Sequence, residues 1–332
     1  MVRVMPTLQI PGETRPATTA CKRSAAPAPE RPSWASTHAA RLQWEAVSAA
    51  GEDSSLRLDG APPAGVSQDG PAPDFLDLPE RTSKPRRAGI THVLDRGLSP
   101  LALESLLETA SEHIDLLKLG WGTAYVSHGV RDKVQLCRQA GVRICPGGTL
   151  LEIAVHQGRL EHYLEWLREL GIDHVEVSNG SLPIAQDLKR EIIAQLAGEF
   201  TVVAEVGNKG PQPAVAEDWV EEMLGDLAAG AVWVIGEGRE SGTVGLFDDH
   251  GAVHADLVDA IVRGLGLETV IFEAPHRSQQ TWLLRHLGPH VNLGNIHGHD
   301  VIGLETLRRG LRYDTLDLLP EQAPVVRDGA DA

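Results

Sequence analysis

The sequence predicts a (β/α)8 barrel, the TIM barrel fold, that follows a mostly disordered N-terminal extension. After residue 88, short apolar runs typical of β-strands alternate with helical patterns, and the recurring unit is roughly thirty residues long. Apolar strands that alternate with amphipathic helices indicate a parallel sheet covered by helices. Because eight such runs occur, we expect the sheet to close into a barrel. An open doubly wound sheet with one or two irregular strands is the alternative.

Each strand is predicted from a run rich in apolar residues. In chain order the eight runs are 90–95, 114–120, 142–147, 174–180, 201–207, 231–238, 269–274 and 291–296. Helices are predicted between them from apolar residues that recur with helical spacing, and clear examples lie at 101–113, 160–170 and 218–230. The barrel domain is therefore expected at residues 88–318.

Residues 1–87 form a separate region by composition. They hold twelve of the 21 prolines in the chain, together with many alanine, serine and threonine residues. A segment of this kind buries too little apolar surface to offset the loss of chain entropy on folding. We therefore predict a mostly disordered extension at 1–87, and a short tail at 319–332 after the barrel.

Charge and cysteine content exclude several classes of protein. The chain has 46 acidic and 30 basic residues, a formal net charge of -16, so it repels nucleic acid and anionic membrane surfaces. Its cysteines, Cys21, Cys137 and Cys145, are too few and too scattered for a disulfide framework. The sequence has neither an apolar run of about 18 residues nor the compact apolar core of a signal peptide. We expect a cytoplasmic protein that binds neither nucleic acid nor membranes.

Charged and polar residues follow the predicted strands. In a parallel barrel the carboxyl ends of all strands meet at one mouth, where the chemistry takes place. The strand ends carry, in chain order, Asp95, Lys118, Gly147, Gly148, Glu176, Ser178, Glu205, Lys209, Glu237, Arg239, Glu273 and Asn295. We expect these residues to lie around a single opening.

The glutamates in this set predict a metal site. They end four consecutive strands and are Glu176, Glu205, Glu237 and Glu273. Ionised carboxylates in a sheltered mouth need positive charge nearby, because burial of an uncompensated charge is costly. Oxygen ligands without cysteine favour Mg²⁺. Lys118, Lys209 and Arg239 would neutralise the remaining charge and hold an anionic substrate.

Structural roles are open for each of these residues. A glutamate at a strand end can cap the next helix or pair with a neighbouring lysine, although a purely structural barrel does not need a ring of four. The glycine-rich turns PGGT (146–149) and GEGRESG (236–242) fit anion-binding loops and tight turns equally well. His297 and His299 are interpreted as residues of a surface loop.

Motifs at the strand ends carry a resemblance to a known family. They are VLDRGL, IDLLKLGWGT, PGGTLLE, VEVSNGS, AEVGNKG, EGRESGTVGLFD, IFEAPHRSQQ, VNLGNI and LETLRRGLRYDT, and they occur in order over residues 88–316. Together they resemble the phosphosulfolactate synthase family of coenzyme M biosynthesis. The resemblance implies a (β/α)8 barrel, a homo-oligomer, and a magnesium-dependent lyase that adds sulfite to phosphoenolpyruvate to give 2-phospho-3-sulfolactate.

The resemblance also implies roles for individual residues. Lys209 matches a family lysine proposed to deliver a proton to C2 of the substrate, and Glu205 would help to hold the metal ion. Lys118 and Arg239 would be anion clamps. Strand-end position adds Asp95, Gly147, Gly148, Ser178 and Asn295 as substrate-binding candidates, and Glu176, Glu237 and Glu273 as further metal-ligand candidates.

The sequence departs from the family pattern at three positions near the predicted mouth. Asn179 stands where the family usually has an acid, Asn208 replaces one of two adjacent lysines, and Arg96 stands where lysine is usual. These changes leave the substrate open. One alternative is a related barrel enzyme that uses another enol phosphate or another nucleophile. The other is a noncatalytic interaction protein, as in plant relatives that act in heat-stress memory.

Overall fold

Eight parallel strands form the centre of the molecule. The computed structural model describes residues 73–207 and 215–320. The strands are β1 (Thr91–Asp95), β2 (Leu116–Leu119), β3 (Arg143–Pro146), β4 (His174–Val177), β5 (Thr201–Val206), β6 (Trp233–Gly236), β7 (Val270–Glu273) and β8 (Asn292–His297). Each strand lies within one of the predicted runs, except that β8 extends one residue further. Strand count, order along the chain and parallel direction are as predicted.

The order of the strands shows that the sheet is a nearly closed barrel. The hydrogen-bonded order is β3-β2-β1-β8-β7-β6-β5-β4, so the first strand pairs with both the second and the last. The two strands at the ends of this order, β3 and β4, lie side by side. This arrangement is the predicted (β/α)8 barrel, and the open doubly wound alternative is wrong.

Helices cover the outside of the barrel. They are α1 (Pro100–Ala110), α2 (Thr123–Val126), α3 (Val130–Gln139), α4 (Gly148–His156), α5 (Leu160–Leu170), α6 (Gln186–Leu196), α7 (Ala216–Ala229), α8 (Ala255–Leu265), α9 (Arg277–Leu287) and α10 (Val301–Arg308). Short 3-10 helices lie at Ser111–His113, Gly298–Asp300 and Tyr313–Leu318. Local sequence sets several boundaries. Ser99 caps α1 by accepting the Ala102 N–H, and Gly171 ends α5 in the left-handed conformation.

Apolar side chains fill two separate regions. The larger one lies between the strands and the surrounding helices and includes Leu117 of β2. The smaller one lies inside the barrel and includes Leu116 of β2, Val203, Ile235 and Ile271. Because side chains alternate along a strand, residues two positions beyond an inward-facing apolar residue also face the barrel interior.

The segment just before β1 contacts the barrel. Arg81 pairs with Glu305 of α10, and Arg86 pairs with Asp115, which directly precedes β2. The Gly89 N–H donates to the His290 carbonyl. These residues include part of the region that the sequence assigns to the extension at 1–87. The remainder of that prediction, at 1–72, falls outside the described residues, as does most of the predicted tail.

Among the described residues, every helix is too short or too polar to cross a bilayer.

Candidate active site

A cavity of about 460 Å³ opens at the carboxyl end of the barrel. Most of the predicted site residues line it, and these are Lys118, Gly147, Gly148, Glu176, Glu205, Glu237, Arg239, Glu273 and Asn295. The acids face inward because side chains alternate between the two faces of a strand. Glu205, Glu237 and Glu273 each lie two residues beyond an inward-facing apolar residue, and those three residues are Val203, Ile235 and Ile271. These nine residues therefore lie around a single opening, as predicted.

Lys118 is a buried cation in the wall of the cavity. Its Nζ lies 3.0 Å from Glu273 Oε1, 3.1 Å from Glu176 Oε2 and 3.8 Å from Glu205 Oε2. Burial alone would lower the pKa of Lys118, but the three carboxylates raise its pKa well above the ordinary value. Lys118 is therefore positively charged at neutral pH, and it joins β2 to β4, β5 and β7.

Glu176 has a raised pKa. Burial raises the pKa of Glu176 to about 7, with Lys118 acting against this rise and Glu205 adding to it. Its Oε1 accepts the Gly148 N–H at 2.7 Å, at the start of α4. At neutral pH this carboxyl group is thus divided between its neutral and ionised forms.

Three of the predicted metal ligands lie together. Glu205, Glu237 and Glu273 each place one carboxylate oxygen within 4.8 Å of the others, and all three side chains are buried. Backbone groups orient two of them, because the Arg239 N–H donates to Glu237 Oε1 and the Gly238 N–H donates to Glu273 Oε2. Hard carboxylate oxygens beside a cavity fit Mg²⁺, which usually keeps positions for water and substrate oxygens. Glu176 lies outside this trio, beside Lys118 and Gly148.

Asp95 and Ser178 are not among the residues that line the cavity. Asp95 Oδ2 accepts from the buried Lys133 Nζ at 2.7 Å, and Asp95 Oδ1 accepts the N–H groups of Gly97 and Leu98. Ser178 Oγ donates to the buried Glu152 of α4. Both residues hold the loops that follow their strands.

The three departures from the family pattern lie in different environments. Asn179 is half-buried, and its Nδ2 donates to Gln186 Oε1 at 3.0 Å. Arg96 is exposed on the rim, 3.9 Å from Glu240. Asn208 and the predicted proton donor Lys209 lie outside the described residues.

Some residues of the cavity wall were not predicted as site residues. They are Leu94, Trp121, Thr149, Ser181, Glu240 and Ser241. Trp121 had a signal in the sequence, because a bulky residue stands between two glycines directly after a strand. Ser181 had a weaker signal in its position after Asn179 and Gly180.

The chemistry of this site follows from its charges. Among the described residues, four buried acids and Lys118 line the cavity, and Arg239 adds a positive side chain at the exposed rim. The acid trio can hold a divalent cation. Lys118, Arg239 and a bound cation would attract a small anion, against the repulsion expected from the net charge of the whole chain.

Comparisons with known proteins show which proteins this chain is similar to. Residues 79–314 match the family described as (2R)-phospho-3-sulfolactate synthase. Phosphosulfolactate synthase of Methanothermobacter thermautotrophicus is 41% identical over 250 residues, covering 73% of this chain and 96% of the relative. The Bacillus subtilis protein of the same name is 38% identical, covering 74% and 99%. Protein HEAT-STRESS-ASSOCIATED 32 of Arabidopsis thaliana is 23% identical, covering 70% and 90%.

Proposed function

The chain belongs to the (2R)-phospho-3-sulfolactate synthase family, and on that premise we propose that it joins sulfite to phosphoenolpyruvate in a magnesium-dependent reaction. In this reaction the sulfur of sulfite forms a bond to C3 of the enol phosphate. The electron pair of the carbon–carbon double bond moves towards C2 and the adjoining carboxylate. C2 then takes up a proton, and the product is 2-phospho-3-sulfolactate.

The acid trio supports the metal requirement. Glu205, Glu237 and Glu273 would hold Mg²⁺, which supplies electrostatic stabilisation of the negative charge that develops on the substrate carboxylate. Lys118 contributes a fixed positive charge beside the trio, so substrate anions meet less repulsion from the acids. Arg239 stands at the rim, where an entering phosphate or sulfite would pass.

We assign delivery of the proton to C2 to Lys209. This assignment comes from the resemblance of the AEVGNKG segment to the family motif, because Lys209 lies outside the described residues. A lysine is a suitable general acid near neutral pH when burial or neighbouring cations lower its pKa.

The observation that carries this proposal is the cluster of four buried glutamates that lines one cavity together with Lys118. Such a cluster costs stability, because each buried charge loses its hydration, and a protein that served only as a binding scaffold gains nothing from it. This argues against the noncatalytic alternative that the heat-stress relative raises. A related enzyme that uses another enol phosphate or nucleophile is the second candidate, and Asn179 and Arg96 are the described departures that favour it.

The test uses the full chain with phosphoenolpyruvate, sulfite and Mg²⁺. We expect a new phosphosulfonate by mass spectrometry, its loss with a chelator, and a strong decrease in Lys209→Ala. Absence of product from the wild-type protein would contradict the proposed reaction. Product formed at the wild-type rate by Lys209→Ala would contradict only the role of that lysine.

Metal binding has a separate readout. We expect Mg²⁺ to raise the melting temperature of the wild-type protein, because a ligand that binds only the folded state stabilises it. Glu237→Gln should abolish that rise. We also propose a homo-oligomer acting in the cytoplasm, and light scattering on the purified protein measures its mass.

A further inference from the structure

Three residues of the cavity wall have an unusual backbone conformation. Among the described residues, the non-glycine residues with positive φ are Trp121 (52°), Arg239 (51°) and Asn295 (54°). All three line the same cavity. A side chain in this left-handed region crowds its own backbone, so the conformation is uncommon and, for a bulky residue such as tryptophan, a real outlier. Strained residues of this kind concentrate at functional sites.

Trp121 occupies a turn position where glycine is normal. The Thr123 N–H donates to the Gly120 carbonyl at 3.0 Å, so Trp121 is the first central residue of a four-residue turn. Positive φ at this position favours glycine strongly. Glycine stands on both sides of Trp121, yet the strained position itself carries the largest side chain. The turn is held in place, since a Cβ at Gly147 would lie only 3.0 Å from the Trp121 backbone nitrogen.

The exposure of Trp121 places it at the mouth of the cavity. Its relative exposure is 42%, whereas Lys118 and Glu176 of the same cavity are only 5% and 2% exposed. Leu94 is the other large apolar residue of the wall, and it is buried. Trp121 therefore borders both the cavity and solvent. A side chain that stays 42% exposed gains only part of the stabilisation of a buried tryptophan, yet it is held here at the expense of backbone strain.

We propose that Trp121 is a substrate-contact residue whose ring covers a bound enol phosphate on its solvent side. This inference rests on the proposed function. The methylene carbon of an enol phosphate is uncharged. An apolar ring over this carbon excludes water from it, whereas charged groups such as the acids and Lys118 attract water. Exclusion of water lowers the local dielectric and strengthens the interaction of Lys118 with the charge that develops on the substrate.

Three substitutions separate substrate contact from packing. Trp121→Ala removes the ring and keeps the strained conformation, whereas Trp121→Gly removes both. The glycine variant should melt above the alanine variant by roughly 2–6 °C, because a Cβ strains the left-handed conformation and glycine has none. Both variants should lose about 10- to 100-fold in kcat/KM, the usual effect of losing one apolar substrate contact. Trp121→Phe should keep most of the activity.

The comparison of kcat/KM with melting temperature in Trp121→Ala and Trp121→Gly distinguishes substrate contact from packing. Equal losses of kcat/KM in variants of different stability support substrate contact. The inference would be overturned if Trp121→Gly had the same kcat/KM as the wild-type protein. It would also be overturned if the variant with the lower melting temperature lost more activity. If the wild-type protein forms no phosphosulfonate, the proposed reaction fails by itself. The inference is then decided by adding phosphoenolpyruvate to each protein already saturated with Mg²⁺. A further rise in the wild-type melting temperature that Trp121→Gly lacks supports it, and no further rise or an equal further rise overturns it.

Discussion

Lys118 joins three strands of the barrel through charge. Its ammonium group lies within 4 Å of carboxylates from β4, β5 and β7, which are Glu176, Glu205 and Glu273. Each of these acids repels the others in a region of low dielectric, and the lysine offsets that repulsion. Lys118 thus compensates part of the negative charge that makes the mouth suitable for a cation.

Replacement of Lys118 by methionine should therefore destabilise the protein. We expect a loss of about 3 to 5 kcal/mol in the free energy of unfolding, because the substitution removes the buried cation that pairs with Glu176 and Glu273. Urea unfolding without Mg²⁺ measures this loss. The double variant Lys118→Met/Glu273→Gln should recover part of it, since the second substitution removes the carboxylate charge that lies 3.0 Å from the lost ammonium group. An unchanged free energy of unfolding in Lys118→Met would show that the cluster is compensated in another way.

At the scale of elements, buried polar side chains on helices hold the ends of the strands. Lys133 of α3 binds Asp95 at the end of β1, and Glu152 of α4 accepts the N–H groups of Ser181 and Leu182 after β4. Gln280 of α9 donates to the carbonyl of Ala274 after β7. These contacts fix the loops of the mouth from behind the cavity wall.

Lys189 contacts the backbone of Glu205 and belongs to a connected series of polar side chains. Lys189 of α6 is fully buried, and its Nζ donates to the Glu205 carbonyl at 2.7 Å. It also pairs with Asp226 of α7, which accepts from Gln186. Gln186 in turn accepts from Asn179, one of the departures from the family pattern. The end of β5 is thereby connected to the loop after β4.

Lys189→Met should weaken metal binding although Lys189 does not line the cavity. Groups that orient metal ligands typically change metal affinity by about 10- to 100-fold when they are removed, and we expect a loss of that size here. Mg²⁺ titration of the melting temperature measures it. Lys133→Met is the matched control, because this lysine is equally buried but holds Asp95, away from the acid trio. Equal losses of Mg²⁺ affinity in both variants would mean that general destabilisation is the cause.

The sequence predicts the strands and the inward-facing acids because both follow from local patterns. A run such as residues 201–207 shows the strand, and the period of two places Glu205 inside the barrel. The same reasoning cannot distinguish Asp95 from the acids of the cavity. Its partner Lys133 is 38 residues away on a helix, so the pairing depends on tertiary packing. Trp121 was missed for a similar reason, because its positive φ is imposed by neighbours in the fold and not by its own preference.

At the scale of the whole molecule, the segment before β1 ties distant parts of the chain together. Arg81 and Glu305 are 224 residues apart in sequence, and Arg81 Nε lies 2.9 Å from Glu305 Oε2. Arg308, one turn further along α10, donates to the carbonyls of Ile90 and Val291. These two carbonyls lie just before β1 and β8, the first and last strands, which pair with each other. The contacts of α10 therefore support the closure of the barrel.

Glu305→Gln should reveal this connection through the dependence of stability on pH. Burial alone would raise the pKa of Glu305, but Arg81 lowers it below the ordinary value through its charge and hydrogen bond. A carboxyl group with a lowered folded-state pKa stabilises the protein above its unfolded pKa of about 4.3, and this stabilisation is lost as the pH falls through the folded-state value. We expect Glu305→Gln to unfold more easily than wild type by about 3 kcal/mol at pH 7, with the difference shrinking below about pH 4. The matched control is Glu104→Gln, because Glu104 is exposed. It should change the free energy of unfolding by less than about 0.5 kcal/mol. A difference between Glu305→Gln and wild type that stays constant from pH 7 to pH 3 would show that the pair acts through packing and not through charge.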